Sequence, residues 1–264
     1  MTSAAKRAQP TKTRPVNPAL FWFGGWVIAA VFVLSGCSQK VETNVWRWSG
    51  QTMGTTYNIT AVSPPYDAER LALQADIDAA LKALNQQMST YISDSELMQL
   101  NGAAVGQWVT VSAPLLEILA LSQQIFRDSD GAFDITVGPL VELWGFGSRA
   151  DVTDVPAADV IATLLASVGT NQLDIDTEQS RVRKQTDIAL DLSAIAKGFG
   201  ADLVSALLAQ QGFANTLVEI GGELRLRGQS PRGAAWKIGV EVPQLDHGPA
   251  QRAIAVSGVG VATS

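Results

Sequence analysis

The chain has 264 residues, 47% hydrophobic and 17% charged, with 19 Lys+Arg against 25 Asp+Glu and a formal net charge of −6. That composition excludes a disordered polymer and leaves room for a sizeable core. The acidic balance argues against nucleic acid as a partner held through phosphate contacts, although one local cation can still hold a phosphate.

Residues 1–18 are polar, with Lys6, Arg7, Lys12 and Arg14 and no acid, and the stretch Ala19 to Leu34, "ALFWFGGWVIAAVFVL", carries 16 residues without a charge. A spanning helix usually needs about 20. A shorter run behind a basic front is the pattern of a secretory signal, with the front left in the cytoplasm. "LSGCS", Leu34 to Ser38, comes directly after it. Small residues before a cysteine resemble the bacterial lipobox, which implies cleavage before Cys37 and a lipid on it. An uncleaved anchor with an incidental cysteine is the alternative; both readings export residues 38–264.

The expected organisation is a signal peptide over 1–36, a lipidated tether over 37–50 and one domain over 51–264. The chain would be lipid-anchored to the bacterial inner or outer membrane, facing the periplasm. Cys37 is the single cysteine, so the body has neither an internal disulfide nor a cysteine nucleophile. Cleavage takes Lys+Arg from 19 to 15 and leaves Asp+Glu at 25, a mature charge of about −10.

Thr55 to Val62, "TTYNITAV", is rich in β-branched and aromatic residues and reads as a strand ended by "SPPYD". From Asp67 the positions Ile77, Leu81, Leu84 and Met88 form one helical apolar face. Ser112 as N-cap and Pro114 in the first turn open a second helix reaching about Arg127. "VPAADVIATLLASVG" suggests a third helix, and Thr186 to Leu192, "TDIALDL", alternates like a strand.

"SAIAKGFGADLVSALLAQQG" reads as a helix closed by Gly212, with Ile195, Phe199, Leu203 and Leu207 as its apolar stripe. "NTLVEI", "ELRLRG", "WKIGVEV" and "AIAVSGVGVA" are further strands. Helices and strands mix without a regular βαβ rhythm, so the fold class is α+β with an antiparallel-rich sheet.

Several fragments carry chemistry-bearing residues. In "DLSAIAKGFGAD", Lys197 falls at the start of a helix that follows a strand. Free N–H groups and the helix dipole favour an anion there, and Gly198 and Gly200 leave the surface open; a solvated lysine beside packing glycines is the bland alternative. The fragment lacks the spacing of a Walker P-loop. Gly221 and Gly222, flanked by Glu219 and Glu223, are first a hairpin turn.

Met53 in "MGTTY" and Tyr91 in "STYISDSEL" are either core residues or a platform for a ring. "SDGAFDITVGPLVELWGFG", Ser129 to Gly147, joins Asp130 and Asp134 to glycines, Pro139, Trp144 and Phe146. A site for a charged ligand with a flat ring uses such a mixture. His247 is the single histidine and sits in loop-like "QLDHGPA", so a metal would have to take oxygen ligands, which favours Mg²⁺ or Ca²⁺.

Taken together, "MGTTY", "STYISDSEL", the Ser129 to Gly147 segment, "DLSAIAKGFGAD", "VEIGGELRLRG" and the final "VATS" resemble the ApbE family, the FAD:protein FMN transferases, over roughly 50–264. The resemblance implies transfer of FMN from FAD to a threonine hydroxyl of an acceptor protein, with release of AMP and dependence on Mg²⁺. The acceptor would be a subunit of a membrane redox complex. It also implies FAD contacts at Met53, Tyr91, Ala132, Phe133, Asp134 and Lys197, and a metal contact from the backbone carbonyl of Ala194. Trp144 would pack the site wall.

Family members continue past "TSG" into a segment holding the metal carboxylate and a candidate general base. The catalytic residues are therefore expected beyond Ser264, with that part of the domain missing. A flavin-binding lipoprotein, an FAD pyrophosphatase and a purely structural envelope lipoprotein are the alternative functions.

Overall fold

A computed structural model describes residues 43–66, 68–147, 154–241 and 250–263. The signal run, Cys37, the first part of the tether and His247 lie outside the described residues. The unit that the described residues build begins at Thr43 rather than at residue 51.

Strands β1 (Val45–Thr52) and β2 (Thr55–Val62) form a hairpin, with Thr52 opposite Thr55. The second half of the expected tether is therefore an edge strand. Only Trp48 of β1 is buried, which left little alternation to read. Helices α1 (Arg70–Met88) and α2 (Glu96–Gly102) follow, then β3 (Trp108–Thr110), α3 (Ala113–Asp128), α4 (Gly138–Leu143) and α5 (Ala158–Leu165). β4 (Leu173–Asp176), β5 (Arg181–Lys184), α6 (Ala196–Gln210), β6 (Asn215–Ile220), β7 (Glu223–Arg227), β8 (Trp236–Glu241), β9 (Ala250–Val256) and β10 (Gly260–Val261) complete the order.

The central antiparallel sheet runs β1-β2-β6-β7-β10, beside a small sheet β3-β5-β4 and the hairpin β8-β9. β6 shows why the central sheet has two covered faces: Thr216, Val218 and Ile220 are buried while Asn215, Leu217 and Glu219 are partly so. Val218 and Ile220 pack with Ile77 and Leu81 of α1 and with Ala201, Val204 and Leu208 of α6. On the other face Leu217, Leu224 and Leu226 pack with Trp236, Ile238 and Val256 of β8-β9. A second core joins Leu84 and Met88 to α2, α3, Val182 and the stretch Ile188, Leu190, Leu192. Each such side chain contributes about 1.5–3 kcal/mol when fully buried.

Three expectations are corrected. Thr186 to Leu192 buries alternate residues as a strand would, yet its ladder partner is one isolated bridge, Val137 with Ala189. The Asn101 side chain takes the place of a neighbouring strand: its Nδ2 donates to the Leu190 carbonyl at 2.9 Å and its Oδ1 accepts the Leu190 N–H at 2.8 Å. On α6 the fully buried positions are Ala196, Gly200, Ala201, Val204, Ser205 and Leu208, so the small residues face the sheet and the expected stripe is only partly buried. A methyl on Gly200 would lie 3.3 Å from Ile220 Cδ1 and 3.4 Å from Leu84 Cδ2. Gly200 therefore serves packing, whereas the space beside Gly198 is open.

Candidate active site

The β1–β2 turn, the end of α1 and the start of α6 enclose a cavity of about 540 Å³. Met53 and Gly54 come from the turn, Asn85, Met88, Ser89, Thr90, Tyr91 and Ile92 from α1 and the loop after it, and Ser193, Ala196 and Lys197 from the head of α6. Met53, Tyr91 and Lys197, far apart in sequence, thus share one wall system. The hydroxyls of Ser89 and Thr90 were missed by sequence reasoning, although they sit beside Tyr91 in a fragment that it singled out.

Met53 holds a positive φ of 49° in a turn whose next residue, Gly54, has φ 72°. This is the geometry a two-residue hairpin needs, and it is unfavourable for a residue with a Cβ such as Met. Strain of that kind persists where a side chain must be aimed, here into the cavity and against Gly200, with Met53 Cε 3.5 Å from a Cβ built there.

The head of α6 supplies positive potential. Its N-cap position, Ile195, gives no side-chain cap, so first-turn N–H groups remain for another acceptor. The Lys197 ammonium donates to the Ser193 carbonyl at 3.2 Å, and among the described residues no carboxylate lies within ion-pair distance of it. A phosphate is the ligand class that such a helix start and cation accept best.

Ala194 is exposed on the turn before α6, and no backbone N–H among the described residues donates to its carbonyl. That oxygen is open to a cation. One carbonyl is a small part of the six oxygens Mg²⁺ demands, and the described residues hold no cluster of three or more His, Cys, Asp or Glu suited to a metal. By themselves they fall short of a metal site.

The Ser129 to Gly147 segment divides its labour. Asp134 Oδ1 accepts from the Thr136 N–H at 2.8 Å and from the Thr136 and Thr170 hydroxyls at 2.6 Å each, and its Oδ2 accepts from the Thr170 N–H at 3.1 Å. The carboxylate ties α4's approach to the short 3-10 helix Thr170–Gln172. Ala132 and Phe133 stand beside it, Phe133 packed on the core, and none of the three lines the cavity. The segment reaches the cavity at its other end: the Tyr91 hydroxyl donates to the Phe146 carbonyl at 3.5 Å. Tyr91, which lines the cavity, is 65% exposed, and Phe146 is 77% exposed. Trp144 is exposed too, rather than packed into a wall.

The family model of the ApbE family matches residues 53–264. The chain belongs to the ApbE family. It is 39% identical to an FAD:protein FMN transferase of Vibrio cholerae over 242 residues, 90% of this chain and 71% of that one. It is 34% identical to the enzyme of the same description in Escherichia coli over 249 residues, 90% of this chain and 70% of that one.

Among solved ApbE structures, the flavin transferase of Vibrio cholerae superposes with a TM-score of 0.73 at 39% identity, covering 81% of this chain and 68% of that one. The apo flavinyl transferase of Pseudomonas stutzeri gives 0.75 at 35% identity, covering 84% and 71%. The α+β architecture with antiparallel sheets is that of the ApbE family.

Proposed function

We propose that this chain is an FAD:protein FMN transferase, and that the cavity at the head of α6 receives FAD. The observation that carries the reading is the meeting of Lys197, an uncapped helix start, Met53 and Tyr91 around about 540 Å³. Lys197 and the helix start suit the pyrophosphate, and Met53 and Tyr91 offer sulfur and aromatic surface to a ring.

A threonine hydroxyl of an acceptor protein attacks the FMN phosphorus. The bond from that phosphorus to the bridging oxygen breaks, AMP leaves with the electron pair, and the hydroxyl proton passes to solvent or a base. Lys197 and the N–H groups of α6 hold the phosphates and offset the charge that develops on them. Mg²⁺, when bound against the phosphates, would neutralise further charge. The acceptor is a subunit of a membrane redox complex, and the chain meets it from a lipid anchor on Cys37, facing the periplasm.

The test incubates the chain with FAD, Mg²⁺ and a threonine-bearing acceptor, then reads flavin fluorescence on a denaturing gel. A fluorescent acceptor band lost on threonine→alanine substitution supports the reading. Free FMN and AMP with a dark acceptor would instead indicate an FAD pyrophosphatase, and bound, unchanged FAD a flavin-binding lipoprotein. Radiolabelled palmitate incorporated by the parent and lost in Cys37→Ser checks the anchor.

A further inference from the structure

Lys197 has a long stem with four rotatable bonds, and such a stem binds an anion tightly only if something holds it beforehand. The holder is visible at the β6–β7 turn. A methyl built on Gly221 would lie 3.0 Å from Lys197 Cδ and 2.8 Å from Thr55 Cγ2. The bare Cα of Gly221 is therefore in contact with the lysine stem, with Thr55 closing the same seat.

The turn itself is held from the opposite face of the sheet. Glu219 alternates away from the α6 side, where Val218 and Ile220 pack. Its Oε1 accepts the Gly222 N–H at 2.7 Å, and its Oε2 accepts from Asn58 Nδ2, its cross-strand partner, at 2.8 Å. Gly221 and Gly222 have φ of 55° and 94°, a two-residue turn that the carboxylate closes. Glu219 does not line the cavity and makes no ion pair among the described residues.

We propose that Glu219 and Gly221 are positioning residues for Lys197: Glu219 fixes the turn, and Gly221 seats the stem so that the ammonium stays at the head of α6. This rests on the reading of Lys197 as the phosphate-binding cation. The conformational freedom of the lysine is spent in folding rather than in binding.

FAD binding to the full chain, followed by quenching of flavin fluorescence, tests this in a double-mutant cycle with thermal melting as the fold control. Lys197→Met weakens binding by about tenfold, the loss expected for a charged hydrogen bond. Glu219→Ala and Gly221→Ala each weaken binding severalfold when Lys197 is present and add nothing in the Lys197→Met background. Glu219→Gln restores binding, because its amide oxygen still accepts the Gly222 N–H and Asn58 can turn its own oxygen to the new NH₂. If Gly221→Ala fails to melt as a folded protein, the Glu219 arm decides alone. Additive losses with Lys197→Met overturn the proposal. An unchanged affinity in Lys197→Met alone removes the reading of Lys197, and the proposal with it.

Discussion

The Tyr57 ring lies across Gly50, its partner in the β1–β2 ladder, so that a methyl on Gly50 would fall 2.6 Å from Tyr57 Cε1. The pair fastens an edge strand that otherwise buries only Trp48. Gly50→Ala forces the ring or the strand to move, an overpacking cost of about 1–3 kcal/mol. For a domain of this size that lowers Tm by about 2–4 °C per kcal/mol. A thermal melt by circular dichroism measures it; an unchanged Tm would mean the strand yields freely.

The same tyrosine gives the fold an alkaline limit. Its hydroxyl donates to Asp78 Oδ1 at 2.6 Å and accepts from Gln74 Nε2. Burial, and then the hydrogen bond to the Asp78 carboxylate, push the Tyr57 hydroxyl well above its ordinary 10.0. Above pH 10 the unfolded chain releases this proton while the folded chain retains it, so the unfolded state binds fewer protons and stability falls as pH rises. Urea midpoints measured from pH 8 to 11 should show a steeper decline in the parent than in Tyr57→Phe. Parallel curves would remove Tyr57 as the cause.

Asp134 and Lys197 separate cleanly in this structure. Asp134→Ala deletes the acceptor of four hydrogen bonds at the Thr136–Thr170 corner. At about 1.5–3 kcal/mol for a bond to a charged group, stability drops clearly. Lys197→Met keeps the volume of a half-buried stem that rests on Gly221, so stability changes by less than about 1.5 kcal/mol while FAD binding weakens. Paired melts and FAD titrations distinguish the two effects. Equal stability losses in both variants would contradict the assignment.

Lys184 is 2% exposed, and its ammonium donates to the Asn101 carbonyl at 2.5 Å, near the C-terminal end of α2. A cation is favoured at that pole of a helix, and the partly buried carbonyl gains a donor. Lys184→Met keeps the volume and removes the donor, at a cost of about 1–3 kcal/mol. The melt of the variant reads this directly, and amine-reactive labelling of the native parent should spare Lys184 relative to the exposed lysines.

Legibility followed burial. Ile77, Leu81, Leu84 and Met88 all lie in the core, as helical spacing required, and Ser112 caps α3 by accepting the Leu115 N–H. β4 and β5 do alternate apolar with charged residues, but each runs only 4 residues, too short for periodicity to single out, and the Asp174–Arg183 and Asp176–Arg181 ion pairs at 2.5 and 2.9 Å that join them appear only in the fold. The stripe on α6 was misplaced because a helix seated close on a sheet buries its smallest residues, and hydropathy weights the largest.

At the site, Met53, Tyr91 and Lys197 were within reach of motif reasoning. Glu219 was visible only as a flank of two glycines, since its partner Asn58 stands 161 residues away.

That separation sets when the cavity can come into being. The β1–β2 hairpin closes locally, but Met53 and Lys197 line one cavity only after β2 has paired with β6, Tyr57 opposite Ile220. Non-local pairing of this kind is slow, because the loop-closure entropy is lost before any contact repays it. A nascent chain therefore has the two halves of the pocket but no pocket until the head of α6 and β6 have emerged.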